Sequence, residues 1–299
     1  MARTHTELYR RFEGELKPRS MRFLPLFSSG VRTSLKKKIP LLLLFAPVVM
    51  GSIVYSFIVY GKYAMEEQTM SVGGIDGMAA VFAQRAMLNI EVKNQIAEFN
   101  HVMRIFALLV VAWFGAGLLA DDRRLGAHQL YFARPLTRLD YFLGKFLTVA
   151  FFGCCAILFP GLFICLMASW SSPEWSFIKE EGDVIWRTLA YAAIWITLVS
   201  SVVLAVSSVV KKKTFALAGV FGFFMLNYGM GGVLGTVQRE YRAISLIHSQ
   251  RRVRNWLFQI DDWKELGFGL DLALLAIGIT ITLSLLIVAW RLRRLEVVR

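Results

Sequence analysis

Six runs without a single charged side chain dominate this chain, and each is close to the twenty or so residues that a helix needs to cross about 30 Å of hydrocarbon. They are Ile39 to Gly61, Ile105 to Ala120, Phe146 to about Trp170, Thr188 to Val210, Thr214 into the glycine-rich stretch 229–235, and Leu272 to Trp290. The second is the shortest, and Val102 and Met103 extend it if Arg104 snorkels. In lipid every backbone N–H and C=O must be satisfied within the protein, so runs of this kind become helices. The expectation is an all-α integral membrane protein with six transmembrane helices. A chain that is 56% hydrophobic has more apolar side chain than a soluble fold of this size can hide.

The formal net charge of +13 needs placing before it is interpreted. Of 34 Lys and Arg, residues 1–38 hold ten, the loop 121–145 five, the triplet Lys211, Lys212 and Lys213 three, and the tail after Trp290 four. The opposite side holds eleven, with Arg104 at a border, while acidic residues run the other way, seven against fourteen. Positive loops are retained in the cytoplasm, so both ends are expected there, in a plasma membrane or, in a bacterium, the inner one. Six spans require the ends to share a side, in agreement. No segment is long and polar enough to form a nucleic-acid-reading platform. The run from Ile39 follows a basic segment without a small-residue cleavage pattern, so this first span is expected to be kept. Cys154, Cys155 and Cys165 lie inside one apolar run and read as small core residues.

The chain divides into a cytoplasmic N-terminus 1–38, a six-helix membrane domain 39–290 and a basic tail 291–299. Phe23, Leu24, Phe27, Val31 and Leu35 share one helical face, whereas Arg22, Ser29, Arg32 and Lys36 fall elsewhere. That pattern predicts an interfacial helix lying along the inner leaflet and turning upward near Pro40. The three lysines between the fourth and fifth runs predict a tight helical hairpin. Two outer segments, 62–101 and 231–268, are too long to be turns and offer surface to an extracytoplasmic partner.

Motifs for chemistry are missing. No GxxxxGK[ST] loop, HExxH, GxSxG or CxxC pattern occurs, and the histidines are scattered at 5, 101, 128 and 248. The runs themselves carry no ionisable group to couple an ion gradient, with Arg104 and Asp271 at their ends. Uphill movement of a cargo would need energy from another subunit. Ser200, Ser201, Ser207, Ser208 and Asn227 read as polar glue between helices, and Gly231 with Gly235 as a GxxxG for close packing.

The loop between the second and third runs is the informative one. It reads Asp121, Asp122, Arg123, Arg124, Leu125, Gly126, Ala127, His128, Gln129, Leu130, Tyr131, Phe132, Ala133, Arg134, Pro135, Leu136, Thr137 and Arg138, followed by Gly144 and Lys145. Asp121 and Asp122 are expected to begin a short helix, where carboxylates meet the positive end of the dipole, and Pro135 to stop it. Asp122, Gly126, Pro135, Thr137, Arg138, Gly144 and Lys145 match, in register, a pattern of the membrane subunits of type 2 ATP-binding-cassette (ABC) transporters, and the chain resembles that family. The threonine and leucine that follow the glycine in the family are replaced by Ala127 and His128.

The resemblance implies an N-terminal elbow helix, six transmembrane helices and a short cytoplasmic coupling helix between spans 2 and 3. It implies a permease subunit, an exporter rather than an enzyme, working with a second permease copy and a dimer of cytoplasmic ABC ATPase subunits. No cofactor is expected in this chain; ATP and magnesium would belong to the ATPase. The coupling surface would comprise Asp122, Arg123, Arg124, Gly126, His128, Tyr131, Phe132, Arg134, Pro135 and Arg138, with the aromatics as socket and the arginines as rim. Without the resemblance, the aromatics could simply anchor at the lipid interface. Two other functions stay open: a membrane scaffold or sensor whose outer segments bind a protein, and an interfacial lipid-modifying enzyme using Asp121, Asp122 and His128.

Overall fold

The computed structural model describes residues 21–71, 90–127, 136–260 and 266–294. Among these the regular structure is helical throughout, with no strand. We number the helices α1 (Leu24–Leu35), α2 (Lys38–Ser71), α3 (Val92–Arg124), α4 (Arg138–Ser171), α5 (Ser176–Glu181), α6 (Asp183–Val209), α7 (Lys213–Val237), α8 (Leu246–Leu257) and α9 (Leu270–Arg293). Six of them, α2, α3, α4, α6, α7 and α9, are long and apolar enough to cross a membrane. The end of the bundle that carries Lys37, Asp122 and Lys213 is called the basic end below, and the opposite one the far end.

Each expected run lies inside one of these six helices, save that the fourth ends one residue past α6 at Val210, and most of the helices overrun the runs at both ends. At 1.5 Å per residue, the 34 residues of α2 and the 33 of α3 extend about 50 Å, some 20 Å more than hydrocarbon requires. Within the outer segment 62–101, residues 62–71 continue α2 and residues 92–101 begin α3, and the two helices touch where Tyr55 stands edge-on to Phe99 at 5.6 Å. The longer helices also correct the expectation that charges lie only at span ends. Arg104 sits thirteenth in α3, and Lys145, only 6% exposed, is the eighth residue of α4.

Local sequence sets the breaks. α1 and α2 are separated at Lys36 and Lys37, and Pro40 falls in the first turn of α2, where its missing N–H has no helical acceptor to lose. Inside α4, Pro160 removes a donor, and the turn before it widens to a π-helix over Cys154–Leu158, with the Phe159 N–H reaching the Cys154 carbonyl. Between α6 and α7 only Val210, Lys211 and Lys212 intervene, which is the expected tight hairpin.

α6 is the central helix, buried on nearly all sides, with Trp195 and Tyr191 among its largest fully enclosed side chains. Its serines are enclosed too, at Ser200, Ser201, Ser207 and Ser208. α7 and α9 are peripheral and turn apolar faces outward, through Met225, Leu226 and Val233 on one and Leu275 and Leu286 on the other. The two GxxxG glycines are spent within the chain: a Cβ on Gly231 would come 2.3 Å from the Ser245 Cβ, and one on Gly235 2.4 Å from the Arg242 Cγ. This close approach lets the segment 239–245 fold back along α7. Asn227 fixes the return, donating to the Ile244 carbonyl at 2.8 Å and accepting from the Leu246 N–H at 2.7 Å.

Candidate functional site at the junction of α3 and α4

α3 does not stop before the two aspartates. It carries them in its last turn, ending at Arg124, and the Leu125 N–H still bonds to the Asp121 carbonyl at 2.9 Å. The expectation that Asp121 and Asp122 open a short helix is therefore corrected: they close a long one. A carboxylate at a helix C-terminus faces the negative end of the dipole, at a cost of about 0.3–1 kcal/mol. Cations offset it. Arg124 lies 3.6 Å from Asp121, and the Lys145 Nζ lies 2.7 Å from the Asp122 Oδ2.

The Asp122–Lys145 pair is the most enclosed ion pair of this junction, with side chains 15% and 8% exposed. The Tyr141 hydroxyl, one turn before Lys145, donates to the same Asp122 oxygen at 2.7 Å, and the Lys145 ammonium lies 5.6 Å from the Tyr141 ring. One carboxylate of α3 is thus held by two groups of α4. Burying an ion pair is favourable only when geometry and extra hydrogen bonds compensate desolvation, and Tyr141 supplies such a bond. The pair joins the two helices that the loop 125–137 connects.

α6 is tied to the same turn. The Ser207 hydroxyl donates to the Ala116 carbonyl at 2.6 Å and accepts from the Leu119 and Ala120 N–H groups at 3.2 and 3.1 Å, so one α6 side chain is spliced into the backbone ladder of α3. The Arg123 guanidinium donates to the Ser208 carbonyl in the last turn of α6, where a cation meets the negative end of that helix. Arg123, expected on the rim of the loop surface, is half-buried against α6, whereas Arg124 is exposed.

α1 completes the junction. It packs on α4 through reciprocal glycines: a Cβ on Gly144 would come 2.8 Å from the Leu26 Cδ2, and one on Gly30 would come 2.7 Å from the Thr148 Oγ1. Leu26 and Ser34 are buried there, while Leu24 and Leu35 remain exposed on the other face. The amphipathic pattern of α1 thus serves two surfaces, one toward protein and one outward. Between α1, α3 and α4 and the start of α7 lies a cavity of about 200 Å³ lined by Ser29, Thr33, Lys37, Asp121, Lys145 and Lys213.

The exits of the loop are shaped by particular residues. Gly126 follows α3 with φ +67°, a left-handed conformation that a side chain resists. Thr137 caps α4: its hydroxyl accepts from the Asp140 N–H at 3.1 Å, and the Asp140 carboxylate accepts from the Thr137 N–H at 3.1 Å. This capping box gives a physical reason for a hydroxyl residue between proline and arginine at this point. Arg138 is exposed, beside an apolar groove formed with Leu139, Phe142, Leu285, Ala289 and Leu292. His128, Tyr131, Phe132, Arg134 and Pro135, and with them the expected short helix, lie outside the described residues.

Of the expected residues, the structure brings together Asp122 and Arg123 in one interhelical contact set, with Gly126 just beyond it. Sequence reasoning missed Tyr141, Leu26, Ser207 and Ser208 as parts of it. A signal for Tyr141 existed, since it stands four residues before Lys145 and so shares its helical face. Asp121 and Asp122 are both engaged by cations, and the Asp122 pair joins α3 to α4.

Residues 25–294 match the family model described as ABC-2 family transporter protein. No curated protein matches the chain.

Proposed function

From the premise that this chain belongs to the ABC-2 family of transporter membrane proteins, we propose that it is the permease subunit of an ATP-driven exporter whose loop 125–137 receives the stroke of a separate ATPase. In this reading two permease copies and two cytoplasmic ATPases form the unit, both ends of the chain face the cytoplasm of a plasma membrane, and α1 is the elbow. ATP and magnesium are held by the ATPase. The segments at the far end, within 62–101 and 231–268, are available to an extracytoplasmic partner.

The observation that carries the proposal is the Asp122–Lys145–Tyr141 contact, which fastens the two ends of the loop to one another beside the Arg123–Ser208 contact to α6. A push on a loop between two independent helices would be absorbed by the loop. With its ends fixed, displacement passes into α3, α4 and α6 as one body. The charge asymmetry supports the cytoplasmic assignment of this end.

The test is co-purification of the tagged full-length chain from its native membranes, followed by ATPase and transport assays of the complex with Gly126→Val. The expected result is a stoichiometric ATPase, and a variant that retains fold and complex but hydrolyses ATP without moving cargo. A chain that emerges alone from membranes known to preserve such complexes, or a Gly126→Val complex with normal coupling, would overturn the proposal.

A further inference from the structure

At the basic end of the bundle, where α4 begins and α9 ends, an apolar groove of about 410 Å³ opens between the two helices. The helices run in opposite directions, so the first residue of α4, Arg138, and the last of α9, Arg293, come to one mouth. Below the mouth the lining is apolar. Phe142 lies one turn along α4 from Arg138, and Ala289 and Leu285 lie one and two turns back along α9 from Arg293. At 1.5 Å per residue, the groove reaches about 12 Å from the level of the guanidinium groups toward the middle of the bundle. Its volume falls within the range of about 300–1,000 Å³ that small-molecule sites occupy.

Both arginines are exposed, and among the described residues neither forms an ion pair or a side-chain hydrogen bond. Asp140, the carboxylate nearest to Arg138 in the sequence, is taken up by the N–H and hydroxyl of Thr137 in the capping box. Trp290, 48% exposed, stands in the same turn of α9 as Arg293, with the Arg294 guanidinium 3.8 Å from its ring. A half-exposed tryptophan beside arginines marks the headgroup layer of a membrane. The mouth of the groove therefore lies at the level of lipid phosphates and its floor at the level of acyl chains.

We propose that this groove binds a single anionic phospholipid of the leaflet at the basic end, its phosphate between Arg138 and Arg293 and one acyl chain laid along Phe142, Ala289 and Leu285. Guanidinium groups match phosphate oxygens in a fixed fork. An acyl chain gains no hydrophobic burial by leaving its lipid neighbours, so the groove supplies shape and the arginines supply selectivity. A soluble phosphate would leave the apolar floor uncovered, and a second copy docked about a two-fold axis would bring further arginines to the same mouth. The site rests on the chain lying in a bilayer and not on the ATPase-driven reading.

The full-length chain is delipidated in a mild detergent and titrated with phosphatidylglycerol or phosphatidylcholine of the same acyl chains, and bound lipids are counted by native mass spectrometry. One phosphatidylglycerol is expected to bind before phosphatidylcholine does, because choline brings its own cation to the arginines. Arg138→Gln and Arg293→Gln should each raise the half-saturating concentration about fivefold. Ala289→Phe, which fills the groove and keeps every charge, should raise it by a similar factor. Lys36→Gln, at an exposed cation of the same end outside the groove, should leave it unchanged. Arg138, Arg293 and Ala289 are all exposed, so the three variants are expected to keep the fold, which circular dichroism checks. Equal affinity for the two lipids, binding indifferent to Ala289→Phe, or a loss in Lys36→Gln as large as in the arginine variants would overturn the proposal and leave the arginines as part of a diffuse basic surface. Displacement of the lipid by glycerol phosphate at matched concentration would overturn it in favour of a soluble ligand. A monomer–dimer ratio changed by Ala289→Phe in the absence of lipid would overturn it in favour of a second copy.

Discussion

Removing Lys145 alone should cost more than removing the ion pair as a whole. Lys145→Met leaves the Asp122 carboxylate, 15% exposed, with the Tyr141 hydroxyl and the adverse end of the α3 dipole. Breaking a buried pair from one side costs about 3–5 kcal/mol, and the small solvent access of Asp122 places this case at the lower end, about 3 kcal/mol. Asp122→Asn takes the carboxylate from the ammonium but keeps an acceptor for Tyr141, for about 2 kcal/mol. In the double variant both charges are gone and the asparagine still meets Tyr141, so the total falls to about 2 kcal/mol instead of the 5 that additivity would give. The coupling energy is therefore about 3 kcal/mol. It is measured by a four-member cycle of unfolding in mixed micelles titrated with dodecyl sulfate and followed by far-ultraviolet circular dichroism. A coupling below about 0.5 kcal/mol would refute the reasoning, because it would mean that the contact holds nothing together. Protease cleavage within 125–137 adds a local readout, and should accelerate in both single variants more than in the double one.

Other consequences can be checked separately. Gly144→Val should drive α1 off α4 at a cost of about 1–3 kcal/mol, and Leu26→Ala, which removes the Cδ2 and Cγ atoms 2.8 and 3.2 Å from the new Cβ but keeps its own Cβ at 2.9 Å, should restore part of the loss in the same unfolding assay. Thr137→Ala should cost about 1 kcal/mol and speed amide exchange over residues 138–141, with no change elsewhere in α4. At the far end, burial first and then Arg242, Arg251 and Arg104 hold the His248 imidazole below its ordinary 6.5, stacked on Tyr228 at 5.5 Å. A depressed folded pKa leaves stability intact above the unfolded value and erodes it as pH falls toward the folded one. Amide exchange in α8 should therefore accelerate as pH falls below the ordinary 6.5, and His248→Gln should flatten that response.

The helices were legible because the bilayer makes a single demand, a continuous apolar run, and a sequence displays such a run directly. Their ends were not. Val92 to Arg104 and Arg138 to Lys145 are too polar to read as membrane helix, yet they are helical because a neighbour covers them. Lys145 is the clearest case: alone it marks a boundary, and with Asp122 and Tyr141 it continues the helix inward. Asp121 and Asp122 were misplaced for the same reason. Carboxylates at a helix C-terminus contradict the local dipole rule, and the cations that reverse the balance include one that lies twenty-three residues beyond Asp122 in the sequence. Glycines posed a third kind of ambiguity. Gly231 and Gly235 fit a contact between helices of two chains or a fold-back within one, and only the positions of Ser245 and Arg242 decide for the latter.

The two ends of the bundle are tied by contacts of different strength, which bears on how each can move. At the basic end, Asp122 is matched to Lys145 and Asp121 to Arg124, and Arg123 is matched to a helix terminus, so rearrangement there would have to break several contacts together. Such a junction moves as a body. At the far end, among the described residues, α8 is tied to α3 by Arg254 to Glu98 and to the Ala97 carbonyl and by Arg104 to the Ile247 carbonyl, at 3.4–3.5 Å, near the limit of a hydrogen bond. α8 is held more closely by the Asn227 clamp and the folded-back segment 239–245, which join it to α7, and by its packing on α9. Loosening the two arginine ties would therefore cost less than breaking the junction at the basic end.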